Sequence, residues 1–555
     1  VRLDLRYLGQ TEVRTTATTS ALAFAPNLAR PKVFYDAELV HPVRFREAVS
    51  ALHEVVVGDL RFRRKDRTAY EQWKKQQADQ EAQVRRAVMD VARRQELARI
   101  VAEPLPDGIE LDFKKMHEIY WRARRQWASE LSRSDPEMFR HLVPCDPVVT
   151  VAPDAVFFEC FSKDESSYGC LLVDREGFRG EATAELGTTN VDYSLALYEH
   201  FQTLRSYRET RLLVDPTGFE VQVAGNPDYR EEKIDLPPSW LRGFGQLQAA
   251  MGLPSRRVVL GVEAVYSILA FLRRHREKTG PRSIRFQLTP GQPAKLLLDP
   301  WGVEVPSRGP AYDGERAEEV KVWGRRRLLV LARVLPLAER VEVALLGSGL
   351  PSVWTVFMGE MKLVVALSGW TSNDWTSSAA LELMTATRAP DTAVVGRLES
   401  HLAACRSATL DELQTAIGAP RDTVLGSLGV LARQGQVMYD FAHGRYRYRP
   451  VMPVALSEAV LGPEHPELSN GRRLHHEHRV QLQREEALPS ARRLLVAKVD
   501  KTEFEAILDA DGAIVRARCP CSHFFKNRLR GGPCRHLLAL QLLASERAGG
   551  SHGVN

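Results

Sequence analysis

Apolar and polar positions change rhythm several times along this chain, and each change predicts a different kind of element. Residues 1–60 alternate short apolar runs with turn residues such as Ala25-Pro26-Asn27 and Arg30-Pro31. From Asp66 to Ala102 there is no Gly or Pro and charges alternate in sign. Val84, Val88, Val91, Ala98 and Val101 recur at three- or four-residue steps, with one seven-residue gap. That spacing predicts an amphipathic helix, ended by Pro104, Pro106 and Gly108. A second helix is predicted from about Asp112 to Leu131, with Phe113, Met116, Ile119, Tyr120 and Trp127 on its apolar side. Together they read as an antiparallel helical hairpin. Its charged surface is ordinarily a solvated face; a coiled-coil partner site is the sharper alternative.

From Ala155 the period shifts toward two. Val156–Cys160 and Cys170–Asp174 flank the turn-forming Lys163–Ser167, which predicts a strand hairpin, and a helix follows at about Tyr193–Arg208. Next comes an internal echo. Arg211-Leu-Leu-Val-Asp-Pro-Thr-Gly-Phe-Glu-Val221 matches Lys295-Leu-Leu-Leu-Asp-Pro-Trp-Gly-Val-Glu-Val305. Each copy is a strand, an Asp-Pro-x-Gly turn and a second strand, and each has a helix upstream, the later one over Glu263–Arg276. This predicts two related α+β units at about 151–235 and 255–310. A third helix–strand block spans about 315–376, with strands near Val353–Met358 and Met361–Leu367.

Residues 406–450 carry a different order. Thr409 caps a predicted helix with Glu412 three residues on, a capping box. Pro420 opens a second helix with Val424, Leu428 and Leu431 on one face, and Gly435 stops it. Gln436–Phe441 and Arg445–Arg449 then form a hairpin over Ala442-His443-Gly444. This order resembles a winged helix-turn-helix. Its second helix offers few base-reading side chains: Arg421, Arg433 and Gln434, offset by Asp422. On the hairpin, Arg445, Arg447 and Arg449 share one strand face and would suit a phosphate track. A protein-docking or purely structural module is the alternative.

Composition sets the bounds. With 555 residues the chain has room for about three to five domains. A hydrophobic fraction of 44% and a charged fraction of 26% exclude wholesale disorder. No run approaches the ~18 apolar residues of a membrane span. Val1-Arg-Leu-Asp-Leu-Arg6 lacks the apolar stretch of a secretory signal. A soluble cytoplasmic protein without membrane partners is expected. The net charge of +6, from 76 Lys+Arg against 70 Asp+Glu, is too mild to imply nucleic acid by itself.

The seven cysteines do not make a disulfide scaffold. Cys145, Cys160, Cys170 and Cys405 sit among apolar neighbours and read as buried thiols. The other three form a pattern: Cys519-Pro-Cys521, twelve residues, then Cys534-Arg-His536. Three thiolates and one imidazole suit one tetrahedral Zn²⁺, and four protein ligands close the shell, which favours a structural metal over a catalytic one. Short strands at Arg492–Lys498, Glu503–Leu508 and Ile514–Arg518 precede the cluster, and a helix continues from it through Leu543. His523 is an alternative ligand, and paired reactive cysteines are the alternative chemistry. His475-His-Glu-His478 reads as a solvated loop rather than a second metal site.

The pattern C-x-C-x₁₂-C-x-H after short strands and at a helix start resembles the SWIM zinc-finger family, over about 60 residues and all four ligand positions. The resemblance implies that Cys519, Cys521, Cys534 and His536 bind zinc in a ββ-zinc-α finger, and that the finger contacts DNA or proteins. The length and Ser368-Gly-Trp-Thr-Ser-Asn-Asp-Trp375 also resemble long bacterial SWIM proteins encoded beside MoxR-type AAA+ ATPases and von Willebrand A proteins. That implies an accessory subunit of an ATP-driven assembly in a bacterial defence system. No G-x-x-x-x-G-K-[ST] loop is present, so any ATPase would be a separate chain.

Charge around the cluster is one-sided. From Gly512 to Ser545 there are six basic residues, Arg516, Arg518, Lys526, Arg528, Arg530 and Arg535, and no Asp or Glu. Three thiolates with Zn²⁺ add about −1, leaving roughly +5. Phe524 and Phe525 lie in the same stretch, so a phosphate-tracking, base-stacking surface is one reading. The other is that both rings pack under the loop.

No nucleophile elbow, H-E-x-x-H or phosphate loop points to an enzyme. The expected fold is multidomain α+β. Its segments are 1–150 with the helical hairpin, 151–310 with two related units, 311–400 as a third block, 401–455 as the winged-helix-like module, 456–490 as linker and 491–548 as the finger. The expected function is a non-enzymatic zinc adaptor that binds nucleic acid or protein. The alternative is an interaction scaffold for a MoxR-type AAA+ ATPase and von Willebrand A assembly without direct nucleic-acid contact.

Overall fold

A computed structural model describes residues 11–15, 20–23, 33–57, 147–162, 164–190, 198, 201–207, 209–215, 218–222, 230–231, 238–251, 255–277, 282–369, 375, 391–451, 466–488, 492–508 and 514–550. The sequence-predicted helices at 66–102 and 112–131, half of the one at 193–208, Cys145, the turn at 509–512 and residues 370–374 lie outside these. Within them the protein is mixed α+β, built on antiparallel sheets.

The largest sheet has eight strands. Their spatial order is Arg256–Leu260, Arg340–Leu345, Ser352–Met358, Met361–Leu367, Ser167–Asp174, Ala155–Phe161, Val148–Val151 and Gly187–Asn190. The sequence divided these strands among segments 1–150, 151–310 and 311–400; in the structure they form one sheet. Met361–Leu367 is the join, pairing with Ser352–Met358 on one side and Ser167–Asp174 on the other. The central strands are buried on both faces. That is why they read as near-continuous apolar runs rather than a strict alternation.

Pro42–Val57 forms a helix against one face of this sheet. It packs so closely that a Cβ on Gly169 would lie 2.8 Å from Leu52 Cδ1. The opposite face carries Phe157, Glu159, Phe161 and Tyr168. There Phe161 meets Phe244 of the helix Pro238–Met251, with ring centroids 4.9 Å apart.

The two echoed segments are both hairpins. Arg211–Asp215 pairs with Gly218–Gln222, beside Phe34–Leu39 and Phe178–Glu185. Pro293–Leu298 pairs with Val303–Ala311, beside Ile284–Leu288 and Glu318–Val322. The second hairpin follows the helix Val262–Arg274, which buries Ala264, Val265, Ile268, Leu269 and Leu272 at helical spacing.

Residues 391–451 hold three helices, Thr392–Cys405, Leu410–Ile417 and Arg421–Arg433, and a hairpin, Val437–Asp440 with Arg445–Tyr448. Thr409 and Glu412 make the full capping box, and Gly418 closes the same helix at φ 65°. Val424, Leu428 and Leu431 are buried together as the spacing predicts. Arg421–Arg433 also packs against Pro238–Met251, a contact with no local sequence signal.

The last unit begins earlier than the sequence placed it. The segment assigned as linker contains a helix, Pro466–His476, and a strand, Gln481–Leu488. That strand joins Arg492–Val499, Thr502–Leu508 and Ile514–Arg518 in a four-stranded sheet. Its side chains are mostly exposed, so it lacks the alternation that betrays a strand. The helix Arg535–Gly550 covers the inner face, burying Leu537 and Leu540 against Leu495, Ala497, Phe504 and Ala506. Among the described residues no helix is long and apolar enough to cross a membrane.

Candidate metal centre

The four pattern residues converge. One ligand atom from each of Cys519, Cys521, Cys534 and His536 lies within 4.8 Å of all the others. Each arrives from a different local device. Strand Ile514–Arg518 pairs Ala517 with Ala506 on the inward face, and Cys519 continues that face into the core. Pro520 takes the chain out of the ladder. Cys521 then caps a short helix, Ser522–Asn527, its Sγ accepting from the Phe524 N–H at 3.5 Å. Cys534 is fully buried just ahead of Arg535–Gly550, and His536 sits in that helix's first turn. The His536 ring also contacts Phe504, 5.4 Å between centroids.

The spacing fits a tetrahedral ion. Metal–sulfur bonds of ~2.3 Å and metal–nitrogen bonds of ~2.0–2.1 Å put sulfur and nitrogen about 3.6 Å apart across a tetrahedral angle. Cys519 Sγ and His536 Nδ1 are 3.6 Å apart. Hydrogen bonds from Cys534 and His536 pull the Cys519 thiol down to about 4, with Cys521 adding to them. Cys534, as donor to Cys519 and deeply buried, is pushed far up; burial raises Cys521 as well. Three crowded sulfurs share protons among themselves, and all three would serve as thiolate donors to one divalent cation. The donor set can hold one metal ion. His523 is not among the converging residues.

A buried carboxylate braces the segment that carries Cys534 and His536. Glu467, on Pro466–His476, accepts from the Arg535 N–H at 2.7 Å and from its guanidinium at 2.5 Å and 3.2 Å. Burial alone would raise the Glu467 carboxyl, but the Arg535 hydrogen bonds outweigh it and hold it below the usual range. Arg535 therefore positions the helix start between Cys534 and His536. No sequence signal marks this contact, because its partners are 68 residues apart.

The remaining basic residues separate into two groups. Arg516, Arg518, Lys526 and Arg528 are exposed. The Arg528 guanidinium lies 5.8 Å from the Phe524 ring centroid. The backbone of Arg530 is described, its side chain is not. On the hairpin at 437–448 the outcome differs from the exposed track expected for Arg445, Arg447 and Arg449. Tyr446 joins the helical core, so the arginine side faces the eight-stranded sheet. Arg447 grips Asp154 with two bonds of 2.6 Å and 2.9 Å and Asp440 with a third of 2.7 Å. Arg449 is fully buried, 3.4 Å from Glu159 and 4.6 Å from the Phe244 ring centroid. Only Arg445 keeps substantial exposure, 3.6 Å from Glu412.

Other expectations can be placed. Cys160 and Cys170 are buried, whereas Cys405, the last residue of its helix, is exposed. His475 lies in the last turn of Pro466–His476 and pairs with Glu546 at 3.1 Å.

No family model and no curated protein matches the chain. Solved structures similar to part of it include proliferating cell nuclear antigens. The protein from Entamoeba histolytica is 14% identical, with 41% of this chain and 89% of that one covered at a TM-score of 0.30. The one from Thermococcus kodakaraensis is also 14% identical, with 44% and 96% covered at a TM-score of 0.31. A likeness of that degree assigns neither fold family nor function.

Proposed function

We propose that the chain is a non-enzymatic zinc-binding adaptor whose C-terminal unit is a SWIM-type finger that contacts nucleic acid. The observation that carries this reading is the convergence of Cys519, Cys521, Cys534 and His536 within 4.8 Å on a unit whose neighbouring Arg516, Arg518, Lys526 and Arg528 are exposed. The soft donor set favours zinc, and four protein donors leave no open position for a substrate or a reacting water. Zinc then holds strand end and helix start together, and the cations form a surface suited to phosphates. The winged-helix-like module at 391–451 is assigned an internal docking role, since Arg447 and Arg449 are engaged with carboxylates of the large sheet.

The test has two arms. The purified protein is expected to carry one zinc per chain, and Cys534→Ala to lose it, both read by metal analysis. Losing a structural zinc worth ~10–16 kcal/mol in isolated fingers should also open the unit at 466–550 to protease. Arg528→Glu with Arg530→Glu should weaken binding to labelled oligonucleotides while zinc content stays at one. Equal zinc in wild type and Cys534→Ala would sink the reading.

A second reading is a scaffold for an AAA+ ATPase or von Willebrand A partner that makes no direct nucleic-acid contact. Co-purification with such a chain, undiminished by Arg528→Glu/Arg530→Glu, is the outcome that would select it.

A further inference from the structure

Phe524 and Phe525 are neighbours in sequence, but the helix Ser522–Asn527 sends them to opposite environments. Phe524 is 2% exposed and belongs to the core of the C-terminal unit, whereas Phe525 is 71% exposed. A lone exposed apolar residue is ordinary on a protein surface. The surroundings of this one are not. Lys526 follows it directly and Arg528 comes two residues later, held at φ 52° where the helix ends. Arg516 and Arg518 are exposed on the strand that leads into the same loop. Among the described residues none of these four cations has an ion pair, and residues 512–545 contain no Asp or Glu. An exposed aromatic ring thus shares one short chain segment with exposed cations, of which Arg528 also lies 5.8 Å from the Phe524 ring centroid and Arg518 stands opposite Glu505 in the sheet.

We propose that Phe525 is a stacking platform for a base of single-stranded nucleic acid, with Lys526, Arg528, Arg516 and Arg518 holding the adjoining phosphates. The inference rests on the nucleic-acid reading above and names its substrate class. Bases within a duplex already stack on one another and offer no free face to a single protruding ring. An unpaired base does, and every base has such a face, so this contact selects strandedness rather than sequence. The cations alone would bind single strands and duplex alike.

The experiment uses the full zinc-loaded chain and fluorescein-labelled oligo-dT, oligo-U and a mixed-sequence duplex. Binding is followed by anisotropy at about 50 and about 200 mM salt. Phe525→Ala should weaken single-strand binding about 5- to 150-fold while leaving duplex affinity, salt slope and zinc content unchanged. Phe525→Trp should retain single-strand affinity. Unequal losses on oligo-dT and oligo-U identify which sugar the site prefers. If Phe525→Ala binds single strands like wild type while Arg528→Glu/Arg530→Glu binds them poorly, the stacking inference is wrong and the nucleic-acid reading stands. Equal losses on single strand and duplex also overturn it. If the wild-type protein binds no probe in a salt-dependent way, both fall and a protein partner takes the surface.

Discussion

Glu159 and Arg449 meet in the interior with neither side chain reaching solvent. Tyr168 donates its hydroxyl to the other Glu159 oxygen at 2.6 Å. Burial pushes the Glu159 carboxyl above its ordinary range, against the pull of Arg449. Burial likewise drives the Tyr168 hydroxyl and the Cys170 thiol well up, so both stay protonated beside it. The two ions hold each other in place: each desolvated charge is tolerable only with the other present. Glu159→Gln should leave a guanidinium buried without a counter-ion and destabilise the body by about 3–5 kcal/mol. Replacing both, with Glu159→Gln and Arg449→Met, should recover much of that loss. Urea unfolding of the three proteins checks it, and equal midpoints for the single variant and wild type would show that Arg449 reaches water.

At the level of elements, the C-terminal unit turns on the contact between two helices. Gly471 lets Pro466–His476 lie directly on Arg535–Gly550. An added Cβ would sit 2.9 Å from Leu538 Cβ and 3.1 Å from the Arg535 carbonyl. Both neighbours are backbone or first side-chain atoms and cannot swing aside, so Gly471→Ala must push the helices apart. A cost of about 1–3 kcal/mol is expected for such overpacking. Because Glu467 on the moving helix braces Arg535 between two ligands, the same change should speed zinc loss to a chelator. A colorimetric chelator assay reads this, and an unchanged rate would mean that the brace does not reach the metal. The convergence of Cys519, Cys521, Cys534 and His536 was legible from the sequence because their spacing is local: strand, short bend, helix start. The capping box at Thr409 and Glu412 and the buried Val424, Leu428 and Leu431 were legible for the same reason. The helix Pro466–His476 was not, since only three of its eleven residues are apolar or glycine at buried positions and its meaning lies in a partner far along the chain. Arg447 and Arg449 misled for a related reason. Period two places them on one face, but whether that face meets water or another sheet is a tertiary fact.

Across the whole molecule, the helix–hairpin module at 391–451 is joined to the eight-stranded sheet by an ionic seam. His443 sits at its centre, with Nδ1 2.7 Å from Asp440 and Nε2 3.2 Å from Asp174. Arg447 bridges Asp440 and Asp154, and Lys362 pairs with Asp174 from the sheet side. The hydrogen bonds to Asp174 and Asp440 raise the His443 imidazole from 6.5 to about 9. A folded value above the unfolded one means that the protonated form is what binds. Its contribution is fully present below about pH 6.5 and is lost as pH rises through about 9. The acid side behaves oppositely. Burial works to raise Asp154 and Asp440, but the Arg447 and His443 contacts outweigh it and hold both carboxyls below their ordinary range. Their contribution is present above the unfolded carboxyl value of about 3.9 and falls away in acid. The seam should therefore be tightest between roughly pH 4 and pH 6.5 and loosen toward pH 9. Thermal melting at about pH 6 and about pH 10 should show wild type losing stability over that interval, beyond any loss seen in His443→Gln. The variant should be less stable at the lower pH and converge on wild type at the higher one. Parallel curves across the interval would mean that His443 is neutral in the folded protein and that the arginine pairs alone hold the module to the sheet.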